Sequence, residues 1–185
     1  MAIEKRIDYV ILGLLRRESL TGYEIKKRLD AASFFFWKAS YGSIYPALNG
    51  LVLSGYAKSK NVNGDKRDKI SYTITQKGRS HLVEWLHQMD AKDEMRFETL
   101  LKLSFGSEIG APATCEQLGH FAERIERNLP LLVQQLGTLK QQQKVDTDVL
   151  YELQSLQLGV ELHKLYLKWC NETIDVLTRS YEGDL

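Results

Sequence analysis

Residues 41–64 read Y-G-S-I-Y-P-A-L-N-G-L-V-L-S-G-Y-A-K-S-K-N-V-N-G. Ile44, Leu48, Leu51 and Val52 recur at i, i+4, i+7 and i+8, which is the apolar stripe of a short helix. Ser43, Tyr45 and Asn49 fall off that stripe, small or hydrogen-bonding groups with no bulky charge among them. Gly55 is placed to end the helix, because the residue just past a helix end often takes a left-handed conformation that glycine adopts freely. From Tyr56 to Lys60 aromatic or small residues alternate with lysines, as along a strand. Asn63-Gly64 is a strong hairpin signal. Residues 69–74, K-I-S-Y-T-I, return as a second strand with Ile70, Tyr72 and Ile74 on one side. A helix with a polar face followed by a basic-tipped hairpin is the core of a winged helix-turn-helix. Such a unit sets the helix in the DNA major groove and the hairpin beside it.

Upstream, Ile7 to Arg17 forms a first helix with Val10, Ile11, Leu14 and Leu15 as its buried stripe, and Arg16-Arg17 suit its negative end. Ser19-Leu20 is the connection. Thr21-Gly22-Tyr23-Glu24 has the form of a capping box and opens a second helix, with Tyr23, Ile25 and Leu29 toward the core. Lys26, Lys27 and Arg28 lie on its outer side, where such a helix crosses the DNA backbone. The run Phe34-Phe35-Phe36-Trp37 cannot place four rings on one side of a helix. Some of these rings plug the core and others meet a second domain, a partner or a ligand. Downstream, Thr75 caps a fourth helix reaching about His87, with Lys77 and Arg79 near its start as further backbone contacts, and the charged stretch from Gln88 to Glu94 is the hinge.

Composition sets the outer bounds. With 185 residues the chain has room for one large or two small domains. No apolar run approaches the roughly 20 residues that cross a membrane. The start of the chain lacks a signal-peptide plan, and Cys115 and Cys170 stand in no CxxC or zinc-finger spacing, so a reduced, cytoplasmic protein is expected. Residues 1–90 hold 15 Lys and Arg against 9 Asp and Glu, while residues 91–185 hold 10 against 15. Only the first half is therefore suited to meet a polyanion.

Five stretches together, Y-V-I-L-G-L-L (9–15), T-G-Y-E-I (21–25), F-W-K-A-S-Y-G-S-I-Y-P-A-L (36–48), L-S-G-Y (53–56) and Y-T-I-T-Q-K-G (72–78), resemble the PadR family of bacterial regulators. The resemblance covers roughly the first 90 residues. It implies an N-terminal winged helix-turn-helix with a C-terminal helical domain that dimerises, and a DNA-binding transcription factor, usually a repressor. The F-W-K-A-S variant and the long helical tail look most like the branch that includes a virulence-gene activator. The resemblance also implies a possible small aromatic or hydrophobic effector. Phe35, Trp37, Tyr166 and Trp169 are candidates to line its pocket, although aromatic packing explains them equally well.

The fold expected is thus mostly α: a winged helix-turn-helix over 1–90 and an all-helical dimerisation domain over 91–185. Double-stranded DNA is the expected partner, with a second copy of the chain. On the wing, Lys58, Lys60, Lys66, Arg67 and Lys69 can converge on phosphates or a minor groove. The alternative is an edge guarded by lysines against aggregation. Ser43, Tyr45 and Asn49 are the candidates for base contact, Asn49 to adenine. Lys26, Lys27, Lys38, Ser40 and Tyr41 complete the expected DNA-binding set.

In the second half, Met95 to Phe105 is a helix and Gly106 to Gly110 a linker. A long helix then starts at Pro112, with Pro130 inside it as a kink. The last helix, capped by Asp146-Thr147-Asp148, carries a near-heptad stripe including Leu153, Leu156, Val160, Leu167, Ile174 and Leu177, which is read as the homodimer interface. Two winged helices related by a two-fold axis would read an inverted repeat, with half-sites about 34–36 Å or a multiple apart.

No catalytic constellation emerges. His81, His87, His120 and His163 fall in no HExxH or zinc spacing, there is no phosphate-cradling glycine loop, and neither metal nor cofactor is expected. The competing function is a winged helix used for protein contact, which would show exposed apolar groups where this chain has lysines and a polar helix face.

Overall fold

The computed structural model describes residues 6–31, 36–37, 39–62, 69–89, 96–142 and 147–183. The chain divides into two units, Met1–Lys92 and Asp93–Leu185.

The first unit runs α1 (Arg6–Leu15), β1 (Leu20–Thr21), α2 (Gly22–Leu29), α3 (Tyr41–Leu53), β2 (Ala57–Val62), β3 (Lys69–Ile74) and α4 (Gln76–Leu86). Its core gathers Ile11, Leu12 and Leu15 of α1, Ile25 and Leu29 of α2, Ile44, Leu48 and Leu51 of α3, and Leu82 of α4 over the inner face of the sheet. This is the winged helix-turn-helix expected from residues 41–74. Tyr23, expected inside, is exposed on α2. Ile70 shares a side of β3 with Tyr72 and Ile74 as expected, but is exposed at the far end of the strand. A third strand was not expected. Leu20, read as part of the connection, and Thr21, read as the helix cap, pair antiparallel with β3 (Leu20↔Tyr72, Thr21↔Ser71), giving the order β1-β3-β2. Two residues are too few to show an alternation, so the strand has no periodic signal.

Local chemistry fixes the ends. The Thr21 hydroxyl accepts the Glu24 amide at 3.2 Å, and the Thr21 amide donates to the Glu24 carboxylate at 2.8 Å, completing the capping box. At the end of α3, Gly55 takes φ 72°, its amide meets the Val52 carbonyl at 3.0 Å, and the Tyr56 amide meets that of Leu51 at 2.8 Å. Those two bonds form a Schellman motif, which turns the chain directly into β2. Thr75 then ties the base of the ribbon to α4. Its hydroxyl donates to the Gly55 carbonyl at 2.7 Å and accepts the Gly78 amide at 3.0 Å, and its own amide reaches the Tyr56 carbonyl at 3.0 Å. Trp85, Tyr9, His81 and Tyr56 form a column of rings beside that joint, with centroids 4.6, 5.1 and 4.3 Å apart.

The second unit comprises α5 (Glu98–Ser104), a 3-10 turn (Gly106–Glu108), α6 (Gly110–Lys140) and α7 (Thr147–Gly183). The expected linker at Gly106 is therefore part helical. The buried Thr114 hydroxyl binds it to α6 through the carbonyls of Gly106 at 3.3 Å and Gly110 at 2.9 Å. Pro130 lies inside α6, which continues through it. The two long helices pack antiparallel, with Leu118, Phe121 and Ile125 of α6 against Cys170, Ile174 and Leu177 of α7. Burial raises the Cys170 thiol above its ordinary range.

The apolar stripe expected to pair two chains is used within one. Leu156 and Val160 are fully buried, Leu167, Ile174 and Leu177 pack on the α6 cluster, and Leu153 is half-buried. A helix that is apolar on two sides gives no sign in its period of which side meets its own chain. The side left open carries Tyr151, Leu158, Leu165 and Val176, all exposed, with Leu162 and Trp169 half-buried beside them.

Candidate nucleic-acid interface

Two surfaces of the first unit are candidates. One is the open face of α3. Residues four apart on a helix share a face, and here Tyr41, Tyr45, Asn49 and Leu53 make that row, all exposed. Ser43 is off it: half-buried, with its hydroxyl donating back to the Ser40 carbonyl at 2.8 Å. The helix-start geometry that Ser40 provides turns the Ser43 donor inward. Ser40 itself is exposed at the N-cap and makes no side-chain cap bond. The Tyr41 and Tyr45 rings stack at 6.0 Å and 18°, and the Lys26 ammonium stands 5.7 Å from the Tyr41 ring.

The other surface is the ribbon. Its register pairs Ala57 with Ile74, Ser59 with Tyr72 and Asn61 with Ile70 on the core side. Lys58 opposite Thr73, Lys60 opposite Ser71, and Lys69 then fall on the outer side, because directly paired residues share a face and alternate residues point the same way. Lys58, Lys60 and Lys69 are all exposed. The tip expectations, Lys66 and Arg67 with Asn63-Gly64, lie outside the described residues, as do Lys38 and Phe35.

The remaining cations divide by what they touch. Lys27 is exposed on α2, whereas Lys26 is paired with the Asp30 carboxylate one turn on. Arg28 donates to Glu18 at 2.7 Å. Lys77 and Arg79 serve the chain itself: Lys77 donates to the Ser54 carbonyl at 3.0 Å, and Arg79 to the Arg16 carbonyl at 2.7 Å, each at a helix C-terminus where a cation is favoured. Sequence pattern does not separate these from phosphate contacts, since both uses call for an exposed cation near a helix end.

Electrostatics add two local effects. The Thr21 amide, then the Thr21 hydroxyl, hold the Glu24 carboxyl below its usual range. Tyr72 is buried beneath the sheet, and burial first, then the neighbouring Tyr45, push its phenol upward.

The aromatic quartet suggested for an effector is not one cluster within either unit. Trp37 packs against the winged-helix core. Tyr166 and Trp169 gather instead around Phe97, with ring centroids 5.3 and 6.3 Å away. A separate trough of about 340 Å³ opens between α5 and α6, with Leu103, Leu118 and Phe121 as its floor and Lys102, His120 and Arg124 at its rim. Among the described residues no three His, Cys, Asp or Glu side chains gather as a metal site requires, and no helix is long and apolar enough to cross a membrane.

Comparison with known proteins extends over both units. The transcriptional regulator PadR-like family matches residues 11–84, and the virulence activator alpha C-term matches residues 95–178. The negative transcriptional regulator PadR of Bacillus subtilis (strain 168) is 35% identical over 102 residues, which is 54% of this chain and 56% of that protein. The chain spans about half the length of the curated relatives it matches. Among solved structures, Bacillus subtilis PadR in complex with operator DNA is 25% identical with a TM-score of 0.81, covering 94% of this chain and 98% of that one. The Vibrio cholerae virulence activator AphA is 26% identical with a TM-score of 0.72, covering 94% and 99%.

Proposed function

This chain belongs to the PadR-like family of transcriptional regulators, and from that premise we propose that it is a DNA-binding repressor acting as a homodimer in the cytoplasm, with no enzymatic activity. The observation that carries the reading is the pairing of two surfaces in one small unit. An uncharged, hydrogen-bonding helix row (Tyr41, Tyr45, Asn49) stands one Schellman turn before a ribbon whose outer side is lysine at 58, 60 and 69. The row suits base edges in a major groove, and the lysines suit phosphates. That the related Bacillus subtilis protein was crystallised with operator DNA supports the same use of this fold here.

The division of labour follows the two units, with residues 1–90 for DNA and residues 91–185 for dimerisation. The open side of α7 supports the dimer. Its apolar residues, Tyr151, Leu158, Leu162, Leu165, Trp169 and Val176, are spaced seven, four, three, four and seven apart. That spacing reads the same in both directions, so an antiparallel copy meets it in register, as a two-fold axis requires. The trough between α5 and α6 suits a small organic acid of aromatic or hydrophobic character as an effector, its carboxylate at Arg124, since the Lys102 ammonium is already paired with the Glu98 carboxylate on the same rim at 3.0 Å.

A mobility shift on the chain's own upstream DNA, over a salt series and against random competitor, tests the reading. Specific retardation that weakens with salt is expected. Equal affinity for random DNA would instead favour the protein-contact reading, for which the exposed Leu53 at the end of the α3 row is the supporting feature.

A further inference from the structure

We propose that Gly22, a residue with no side chain to offer DNA, is a positioning residue for DNA binding: its missing Cβ is the seat that holds the Tyr45 phenol at the junction of α2 and α3. This inference rests on the regulator reading above and names a determinant within the same interface.

The geometry is specific. A Cβ built on Gly22 would lie 2.6 Å from Tyr45 Cε1, 3.0 Å from Cζ and 3.1 Å from the hydroxyl oxygen. The phenol end of the ring therefore lies directly on the Gly22 backbone. Gly22 is buried there, at the first position of α2, straight after the β1 pairing and the Thr21 cap. On its other side the Tyr45 ring stacks on Tyr41, whose ring in turn lies 5.7 Å from the Lys26 ammonium. The four residues form a step from the α2 backbone, across the open row of α3, and back to α2.

Helix propensity does not explain a glycine here. Position 22 opens a helix, its φ is not in the left-handed region, and alanine is the better helix former. The three atoms nearest to an added methyl group all belong to one side chain. The atoms it would strike are the far end of a flexible, exposed ring, which can swing out into solvent without moving the backbone. Gly22→Ala is thus a substitution that relocates the Tyr45 hydroxyl and leaves the fold alone. Held in place, that hydroxyl offers one hydrogen-bond donor, at a fixed point, to a phosphate oxygen or a base edge.

The test compares wild type, Gly22→Ala, Tyr45→Phe, Tyr45→Ala and the double variant Gly22→Ala/Tyr45→Ala by mobility shift on the upstream DNA, with a thermal melt of each. Gly22→Ala is expected to bind about tenfold more weakly, the effect of losing one hydrogen bond to a charged group, while melting no lower than wild type. Tyr45→Phe should show the same loss. In the Tyr45→Ala background, with no ring over residue 22, adding Gly22→Ala should leave affinity unchanged and melting no lower. Wild-type affinity in Gly22→Ala would overturn the proposal. So would a further loss on adding Gly22→Ala to Tyr45→Ala, because the methyl would then act elsewhere. If the wild-type protein shifts no DNA, the regulator reading fails and this inference falls with it. Wild-type binding with no coupling between residues 22 and 45 removes this inference alone.

Discussion

Replacing Gly78 by alanine should unlock the wing from the helix that follows it. A Cβ at position 78 would sit 2.0 Å from the Tyr56 carbonyl oxygen and 2.9 Å from its carbon. Carbon–oxygen contacts settle near about 3.3 Å, so α4 and the start of β2 must part by more than about 1 Å. Both struck atoms are backbone, and no rotamer relieves them. The Thr75 joint cannot survive that shift. Its amide bond to Tyr56 and its hydroxyl bond to Gly55 both span the gap. Counting about 1 kcal/mol for each of these two bonds gives a cost of about 2 kcal/mol. Alanine's better helix propensity returns up to about 1 kcal/mol. A net loss of about 1 kcal/mol in a unit of this size lowers its melting temperature by about 4–8 °C. Tryptophan fluorescence in a Trp169→Phe background isolates the first unit, whose tryptophans are Trp37 and Trp85. A Gly78→Ala protein that melts at or above its parent would refute the reasoning, because the joint would then be soft enough to absorb a methyl group.

Four further outcomes follow from the same surfaces. Lys58→Ala with Lys60→Ala should weaken binding to specific and random DNA alike and reduce the salt slope by about two units, which a mobility shift over a salt series measures. Asn49→Ala should lose about 1–3 kcal/mol at the operator with little change on random DNA, if the amide reads a base; parallel titrations on both DNAs decide it. Leu158→Asp with Leu165→Asp places charge on the open side of α7, so sedimentation should return half the wild-type mass with helicity retained. Glu24 is a pH-dependent group of the first unit. Its folded-state pKa is depressed, so its contribution is present above the unfolded value of about 4.3 and is lost as pH falls through the lower folded value. Glu24→Gln should therefore flatten the dependence of melting temperature on pH between about pH 5 and pH 3, and the two proteins should differ least in strong acid.

The first unit was legible because its signals are local. Ile44, Leu48 and Leu51 are buried as their spacing predicts, Gly55 is left-handed where a stop was expected, and Thr21–Glu24 closes the capping box. What escaped was set by distant partners. Leu20-Thr21 is a strand only because β3 lies beside it. Ser43 shares the polar composition of the reader helix, yet its hydroxyl is claimed by Ser40. Lys77 and Arg79 look like phosphate ligands and instead satisfy helix-end carbonyls. In the second unit, helix content was plain but the role of each face was not. Leu156 and Val160 are buried, whereas the row through Leu158 and Leu165 stays exposed. Gly22 illustrates the limit most sharply, since only the position of Tyr45 reveals what its missing side chain does.

The joint at Thr75 and Gly78 also bears on how such a protein can change its target over time. The ribbon is aimed by contacts between main-chain atoms and one hydroxyl, and none of Lys58, Lys60 or Lys69 takes part in them. Likewise α3 is anchored by Ile44, Ala47, Leu48 and Leu51, residues on the side away from Tyr45 and Asn49. Scaffold and message are therefore written in different residues. On the proposed use of these surfaces, substitutions along the outer ribbon and the open row of α3 alter the sequence that is read, while the frame that presents them keeps its shape.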